Sequence, residues 1–137
     1  MEIEAIYSYP DRGVLKEIIS GNQINVASPF YSSASLNLIA KHGIKRMVFI
    51  TRLPTQNIMP SAFIENDPTP LAELFGEMNN QLKLYALPSL HAKLYMKDNV
   101  AWVGSANLTM NGFSGKPEIV IRFKDNEDYW SQVFSDY

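Results

Sequence analysis

The chain has 137 residues, a formal net charge of -2 and no cysteine. This length suits one domain with a buried core, so we expect residues 1–137 to form a single domain. The lack of cysteine excludes disulfide bonds and thiolate metal sites. The net charge excludes a uniformly basic surface, so a polyanion would have to bind a local basic patch.

The first ten residues, MEIEAIYSYP, contain two acidic residues and no basic one. Apolar and polar side chains alternate in them, which predicts a strand and argues against a signal peptide. No apolar run approaches the ~18 residues that a membrane span needs. We therefore expect a cytoplasmic protein with no membrane partner.

Hydrophobic periodicity and turn residues predict alternating strands and helices in the first part of the chain. In order, these are a strand at 2–8, a helix capped by Asp11 and ended near Gly21, a strand at 23–28, a helix from Ser32 or Ser33 to Lys41, and a strand at 45–51. A strand, a helix and a strand within about thirty residues form a βαβ unit, so we expect the last two strands to be parallel.

The second part begins with a proline-containing segment at 52–70, which is predicted to be a long irregular loop. The elements after it are a helix capped by Asp67 with Leu71, Leu74, Phe75 and Met78 on one face, strands at 81–86, 90–96, 100–104 and 118–123, and a helix opened by Asn126. A tight turn at 97–99 joins the second and third of these strands into a hairpin. The predicted fold is α/β, one mixed sheet flanked by helices.

The segment LHAKLYMKDNVAWVGSANLTMNGF, residues 90–113, places polar residues inside two apolar runs. On a regular strand His91 and Lys93 point to the same side, roughly 7 Å apart. An imidazole beside an ammonium suits an anion, because Lys93 supplies charge and His91 supplies a nucleophile or a proton. The other histidine, His42, adjoins a predicted helix end, and we predict a structural role for it.

The hairpin leads into Gly104-Ser105-Ala106-Asn107. Gly104 would let the backbone come close to a ligand, while Ser105 and Asn107 carry short polar groups. A following helical turn would add free backbone N–H groups. This segment is therefore predicted to form the second wall of a phosphate-sized pocket.

The pattern H-x-K-x4-D at His91, Lys93 and Asp98, followed by G-S-x-N at 104–107, resembles the HKD motif of the phospholipase D superfamily. The length and single motif are similar to the small members of that superfamily. The resemblance implies a phospholipase D-like domain and a phosphodiesterase that needs no metal and no cofactor. Two HKD motifs make one active site in this superfamily, so a chain with one motif is expected to form a homodimer.

The resemblance also implies roles for the motif residues. One His91 would attack phosphorus and form a phosphohistidine, and the partner subunit's His91 would protonate the leaving oxygen and then activate water. Lys93, Ser105 and Asn107 would hold the phosphate oxygens. Asp98 and Gly104 would support the structure without reaching the phosphorus.

Many members carry a downstream acid that hydrogen-bonds the histidine, and Glu118 is the candidate here. It stands at the start of an apolar strand, where an isolated carboxylate is costly unless it is paired. Such a pair would orient the imidazole. The family often has asparagine two residues before this acid, and this chain has Lys116 there.

The motif does not choose among phosphodiesters, because lipids, DNA and RNA share that group. No segment has the amphipathic pattern of a membrane-binding helix. Basic residues flank the motif and the βαβ unit, namely Lys41, Lys45, Arg46, Arg52, Lys83, Lys97 and Lys116. These observations favour an endonuclease acting on DNA or RNA, to which a separate recognition subunit could add specificity. A phospholipase-type phosphodiesterase and a non-catalytic nucleic-acid-binding or structural subunit remain alternatives.

Overall fold

The computed structural model describes residues 1–52 and 67–137, and most of the loop predicted at 52–70 lies outside these ranges. The described strands are β1 (Glu2–Ser8), β2 (Gln23–Ala27), β3 (Arg46–Thr51), β4 (Leu82–Ala86), β5 (Leu94–Lys97), β6 (Val100–Gly104) and β7 (Ile119–Lys124). The described helices are α1 (Arg12–Ile18), α2 (Ser33–Lys41), α3 (Pro68–Glu77) and α4 (Tyr129–Ser135). None of these helices is long and apolar enough to cross a membrane.

The seven strands form one mixed sheet in the order β1-β7-β6-β5-β2-β3-β4. β2, β3 and β4 are parallel, and the other pairs are antiparallel. The predicted α/β fold and the parallel βαβ unit are therefore confirmed. This topology brings the ends of β2, β3 and β6 and the beginnings of β5 and β7 to one edge of the sheet. We call that edge, at Ala27, Thr51, Leu94, Gly104 and Ile119, the carboxyl edge.

Helices cover both faces of the sheet, because side chains along each strand alternate between two apolar clusters. On β5, Tyr95 joins the cluster under α1, α2 and α3, whereas Leu94 and Met96 join the cluster under α4. The first cluster includes Trp102, which is 1% exposed. Each such fully buried large side chain contributes about 1.5 to 3 kcal/mol to folding.

Side-chain caps begin three of the helices where the sequence predicts them. Asp11 accepts a hydrogen bond from the backbone N–H of Gly13, and Asp67 accepts one from that of Thr69, both at 2.9 Å. Ser32 forms a reciprocal capping box at the start of α2. These bonds satisfy backbone donors that have no partner within the helix.

A polar cluster ties α1 to the sheet through the carboxylate of Glu17. Tyr7 donates to it at 3.0 Å and Trp102 Nε1 at 3.2 Å, and Arg122 forms an ion pair with it. Burial raises the pKa of Glu17, but the hydrogen bonds from Arg122, Tyr7 and Trp102 outweigh burial and leave that pKa below its usual value. Arg122 also lies 3.4 Å from Glu4, so this cluster links β1, β6, β7 and α1.

The strand predicted at 90–96 begins only at Leu94. Its partner β2 ends at Ala27, which pairs with Leu94, and the chain then turns toward α2 through Pro29. Residues 91–93 therefore have no β2 ladder to join. Leu90 is buried nonetheless, because it packs in the cluster under α4.

The last helix begins at Tyr129 and not near Asn126, as predicted. Asp125, which is 3% exposed, accepts hydrogen bonds from the backbone N–H groups of Tyr129 at 3.0 Å and Trp130 at 2.6 Å. Asn126 instead accepts a hydrogen bond from Asn99 in the β5–β6 turn. The buried carboxylate of Asp125 thus satisfies the first backbone N–H groups of α4.

One predicted apolar face is also incomplete. Leu71, Leu74 and Met78 of the α3 region are buried, but Phe75 is 43% exposed. Phe75 lies one helical turn from Leu71, but its side chain is not buried against the sheet.

Candidate active site

The carboxyl edge holds five of the residues that the motif singles out. His91 and Lys93 precede β5, Ser105 and Asn107 follow β6, and Glu118 precedes β7. These residues belong to two loops, β4–β5 and β6–β7, which meet at the edge where ligands bind in many open α/β sheets.

Asp98 lies away from these residues. It occupies the β5–β6 turn, at the opposite edge of the sheet, with a left-handed φ of 50°. The turn was predicted, and the backbone angle suits aspartate better than most residues. Asp98 therefore has a place in the hairpin and none at the carboxyl edge.

Packing between β6 and β7 explains the glycine at position 104. A Cβ atom at this position would lie 1.9 Å from the carbonyl oxygen of Ile119. The sequence predicts an approach of the backbone to a ligand, but the close approach is between β6 and β7. Glycine is required here because the neighbouring strand occupies the space of any side chain.

Ser105 continues the same contact between the strands. Its Oγ accepts a hydrogen bond from the backbone N–H of Ile119 at 3.0 Å, and its own N–H donates to the Ile119 carbonyl at 2.9 Å. The hydroxyl itself donates to the Ile119 carbonyl oxygen at 3.5 Å, a long hydrogen bond that an anion can replace. Ser105 is exposed, so a bound anion can reach the hydroxyl proton.

Asn107 is positioned by Ser28, a completely buried residue just after β2. Ser28 Oγ accepts from the N–H of Leu108 at 3.0 Å, donates to the carbonyl of Phe30 at 2.7 Å, and lies 3.4 Å from Asn107 Oδ1. Nothing in the motif indicates this serine. It is a positioning residue that sequence reasoning missed, because the contact spans distant segments.

The backbone on both sides of Asn107 is fixed by two further buried side chains. Tyr95 donates to the carbonyl of Ala106 at 2.7 Å, and Ser35 donates to the carbonyl of Leu108 at 2.7 Å. Burial raises the pKa of Tyr95 far above its usual value, so the phenol remains a donor at any physiological pH.

A cavity of about 520 Å³ opens beside this segment. Asn107 and Glu118 both line it, together with Phe30, Thr109 and Lys116. His91, Lys93 and Ser105 are not among its lining residues. In residues 1–52 and 67–137, no hydrogen bond joins Glu118 to His91, so the predicted pairing of these two side chains stays a prediction.

Arg52 connects His91 to the cavity. Its Nη2 lies 3.1 Å from Nε2 of the exposed His91, and its guanidinium carbon lies 5.8 Å from the ring centroid of Phe30. Phe30 in turn forms part of the cavity wall. The sequence indicates Arg52 as a basic residue at the C-terminal end of a predicted parallel strand, the side where ligands usually bind in α/β sheets. It gives no signal for the contact with His91 or for Phe30.

The other basic residues are divided between the two edges of the sheet. Lys93 and Lys116 share the carboxyl edge with Arg52. Four basic residues lie at the opposite edge, around the start of β3 and the end of β5: Lys41, Lys45, Arg46 and Lys97. The basic cluster expected around the βαβ unit is therefore mostly remote from His91.

His42 also lies at that opposite edge. It caps the C-terminal end of α2, and its Nδ1 lies 2.9 Å from the carbonyl oxygen of Leu38. This geometry agrees with the structural role expected from its sequence position.

Comparison with known families gives a match over nearly the whole chain. The family described as cardiolipin synthase, PLD-like domain, matches residues 3–136. No curated protein matches the sequence.

Solved structures share the fold. NucT from Helicobacter pylori has a TM-score of 0.66 and 15% identity, with 96% of this chain and 92% of that chain covered. Nuc from Salmonella typhimurium, a phospholipase D family member, has a TM-score of 0.61 and 15% identity, with coverages of 91% and 84%. TrmBL2, an archaeal chromatin protein, has a TM-score of 0.61 and 14% identity, with coverages of 99% and 52%.

Proposed function

The chain belongs to the phospholipase D-like family described as cardiolipin synthase, PLD-like domain, and from this membership we propose that it is a metal-independent phosphodiesterase acting on DNA or RNA. One observation carries the proposal. An exposed imidazole and the cationic Arg52 and Lys93 share the carboxyl edge with the amide of Asn107, and these four groups come from three loops. A nucleophile surrounded by cations and amide donors suits an attack on a phosphodiester.

The proposed chemistry begins with Nε2 of His91. Its lone pair forms a bond to phosphorus, and the bond from phosphorus to the leaving oxygen breaks. Lys93, Ser105 and Asn107 bind the non-bridging oxygens, whose negative charge grows as the bond forms. A proton must reach the leaving oxygen, and water must later cleave the phosphohistidine.

The proton donor argues for a second copy of the chain. The sequence has two histidines, and the second, His42, lies at the opposite edge of the sheet. His91 cannot attack phosphorus and protonate the leaving group in the same step. As the resemblance to the two-motif HKD site implies, we propose a homodimer in which the partner subunit's His91 donates this proton and then activates water.

A nucleic acid substrate is supported by the cations at the carboxyl edge, because Arg52, Lys93 and Lys116 offer a local surface for a phosphate backbone. The chromatin protein TrmBL2, which shares the fold, is described as binding DNA. Nothing in the described residues reads bases, so a separate recognition subunit would have to supply sequence specificity.

A phospholipid substrate is the second candidate. It is supported by the family's own description and by three isoleucines that β1 and β7 expose, Ile3 at 59%, Ile6 at 64% and Ile119 at 51%. Only Ile119 lies at the carboxyl edge, since Ile3 pairs with Phe123 and Ile6 with Ile121, but exposed apolar side chains of this kind suit contact with a bilayer.

The test is phosphodiesterase activity in excess EDTA on bis(p-nitrophenyl) phosphate, single-stranded and duplex DNA, RNA and cardiolipin vesicles. We expect hydrolysis of a nucleic acid, a loss of at least about a thousandfold in His91→Ala, and full activity in His42→Ala. Hydrolysis of the vesicles alone would establish the lipid alternative. A folded protein that is inactive on every substrate would contradict the enzyme proposal and favour the alternative of a non-catalytic subunit.

The dimer is tested by mixing. If both copies of His91 serve one site, refolding the wild type with a growing excess of His91→Ala will reduce activity per wild-type chain. Activity that stays constant per wild-type chain would contradict the shared site.

A further inference from the structure

The contact between Arg52 and His91 determines which nitrogen of the imidazole carries a proton. A guanidinium donates hydrogen bonds and has no acceptor. Nε2 of His91, at 3.1 Å from Nη2 of Arg52, is therefore the acceptor and has its lone pair directed at the arginine. The proton of the neutral ring is on Nδ1. In the proposed mechanism Nε2 is the atom that attacks phosphorus.

We propose that Arg52 is a phosphate-binding catalytic residue of this site, an inference that rests on the phosphodiesterase function proposed above. Its guanidinium keeps Nε2 of His91 unprotonated, and its N–H groups pass to a non-bridging oxygen when a phosphodiester binds. The same residue thus prepares the nucleophile and receives the anion.

The geometry favours this exchange of partners. A phosphorus in position for attack lies about 3 Å from the nucleophilic nitrogen. Since the lone pair of Nε2 points at Nη2, the guanidinium must move aside for this phosphorus, and the non-bridging oxygens then lie beside its N–H groups. A hydrogen bond from a guanidinium to a phosphate oxygen is stronger than one to a neutral nitrogen, since both partners are charged.

The surroundings of Arg52 hold its planar group in one place. The guanidinium lies over the ring of Phe30, a cation–π contact that limits how far the arginine can move. Phe30 is itself fixed through its carbonyl, which accepts from the buried Ser28. The guanidinium can therefore turn toward a phosphate while it stays over Phe30, which lines the cavity, and its fork matches two phosphate oxygens.

The transition state should benefit more than the bound substrate, because charge on the non-bridging oxygens grows as Nε2 attacks. Removing one such donor commonly lowers kcat by about 100-fold or more. Lysine at this position would keep the charge but lose the fork, so it should restore only part of the rate.

The experiment compares Arg52→Ala and Arg52→Lys with Arg46→Ala in the full chain, using bis(p-nitrophenyl) phosphate. Arg46 is a matched control, because it begins β3 at the opposite edge, whereas Arg52 follows its end. We expect kcat to fall about 100-fold in Arg52→Ala and about 10-fold in Arg52→Lys, and to stay within about twofold in Arg46→Ala. Wild-type kcat in both Arg52 variants would overturn the proposal.

A second readout does not depend on turnover. With two histidines in the chain, 15N spectra of the imidazoles are assigned by a His42→Gln variant. We expect unprotonated Nε2 at His91 in the wild type, a shift of that signal on titration with inorganic phosphate, and at least about 10-fold weaker phosphate binding in Arg52→Ala. Unchanged phosphate binding in a folded Arg52→Ala would overturn the proposal.

The two proposals can fail separately. If the wild type hydrolyses nothing but its phosphate binding depends on Arg52, the phosphodiesterase function fails and the anion site stands. If His91→Ala is inactive while the Arg52 variants keep wild-type kcat, the phosphodiesterase proposal is supported and the proposed role of Arg52 is refuted.

Discussion

Substituting Gly104 by alanine should disrupt the contact between β6 and β7. The new Cβ would lie 1.9 Å from the Ile119 oxygen and 2.9 Å from Val120 Cα, both backbone atoms that cannot rotate away. Relieving the clash separates the strands and weakens the two hydrogen bonds between Ser105 and Ile119. Each bond is worth about 1 kcal/mol, and overpacking costs about 1 to 3 kcal/mol. We therefore expect unfolding free energy to fall by about 3 to 5 kcal/mol.

Urea denaturation measures this loss, with Gly76→Ala as the matched control. Nothing lies within 4 Å of a Cβ at Gly76 in α3, so alanine there should stabilise the helix by about 0.5 to 1 kcal/mol. The same substitution is thus expected to have opposite signs at the two positions. A Gly104→Ala protein as stable as the wild type would refute the steric account of this motif glycine.

Two further variants test the buried polar contacts. Ser28→Ala leaves the Leu108 N–H without its acceptor, so we expect a loss of about 1 to 3 kcal/mol in urea denaturation together with lower activity, whereas Ser114→Ala should change neither. Burial raises the pKa of Glu17, but its hydrogen bonds, led by that from Arg122, hold the pKa below its usual value, so the ionised group stabilises the fold at neutral pH and this stabilisation is lost as the pH falls through the lowered pKa. Glu17→Gln should therefore be less stable than the wild type at pH 7, with the difference shrinking toward pH 3; a difference independent of pH would contradict the assignment.

The sequence was sufficient for the elements whose signals are local. The caps at Asp11, Ser32 and Asp67 and the turn at Asp98 each depend on a few neighbouring residues, and the structure has them where they were predicted. The parallel pairing of β2 and β3 followed from the length of the segment between them.

What was missed depends on partners far along the chain. Apolar alternation continues through Leu90 and Ala92 as in a strand, but a ladder needs a partner, and β2 has already ended there. The start of α4 depends on Asp125, which is near in sequence, but Asp125 is held in place by a distant partner, since its N–H donates to the carbonyl of Asn99 at 2.6 Å.

The site shows the same division. The motif identifies His91 and its neighbours by spacing, whereas Ser28 and Arg52 act through contacts that span many residues. Their sequence surroundings are ordinary for a strand end. The contacts of Ser28 with Asn107 and of Arg52 with His91 become apparent only when the loops meet at the carboxyl edge.

The pairing of β1 with β7 joins two described strands that are more than a hundred residues apart in the chain. Glu2 pairs with Lys124 and Ser8 with Ile119, so β1 is synthesised long before its partner. At about 5 to 20 residues per second the delay is on the order of 5 to 25 seconds. In that interval the parallel strands and their helices can assemble, while β1 remains an open edge with apolar side chains. The ion pairs of Arg122 with Glu4 and Glu17 form only after β7 is synthesised, so this polar cluster closes late in co-translational folding.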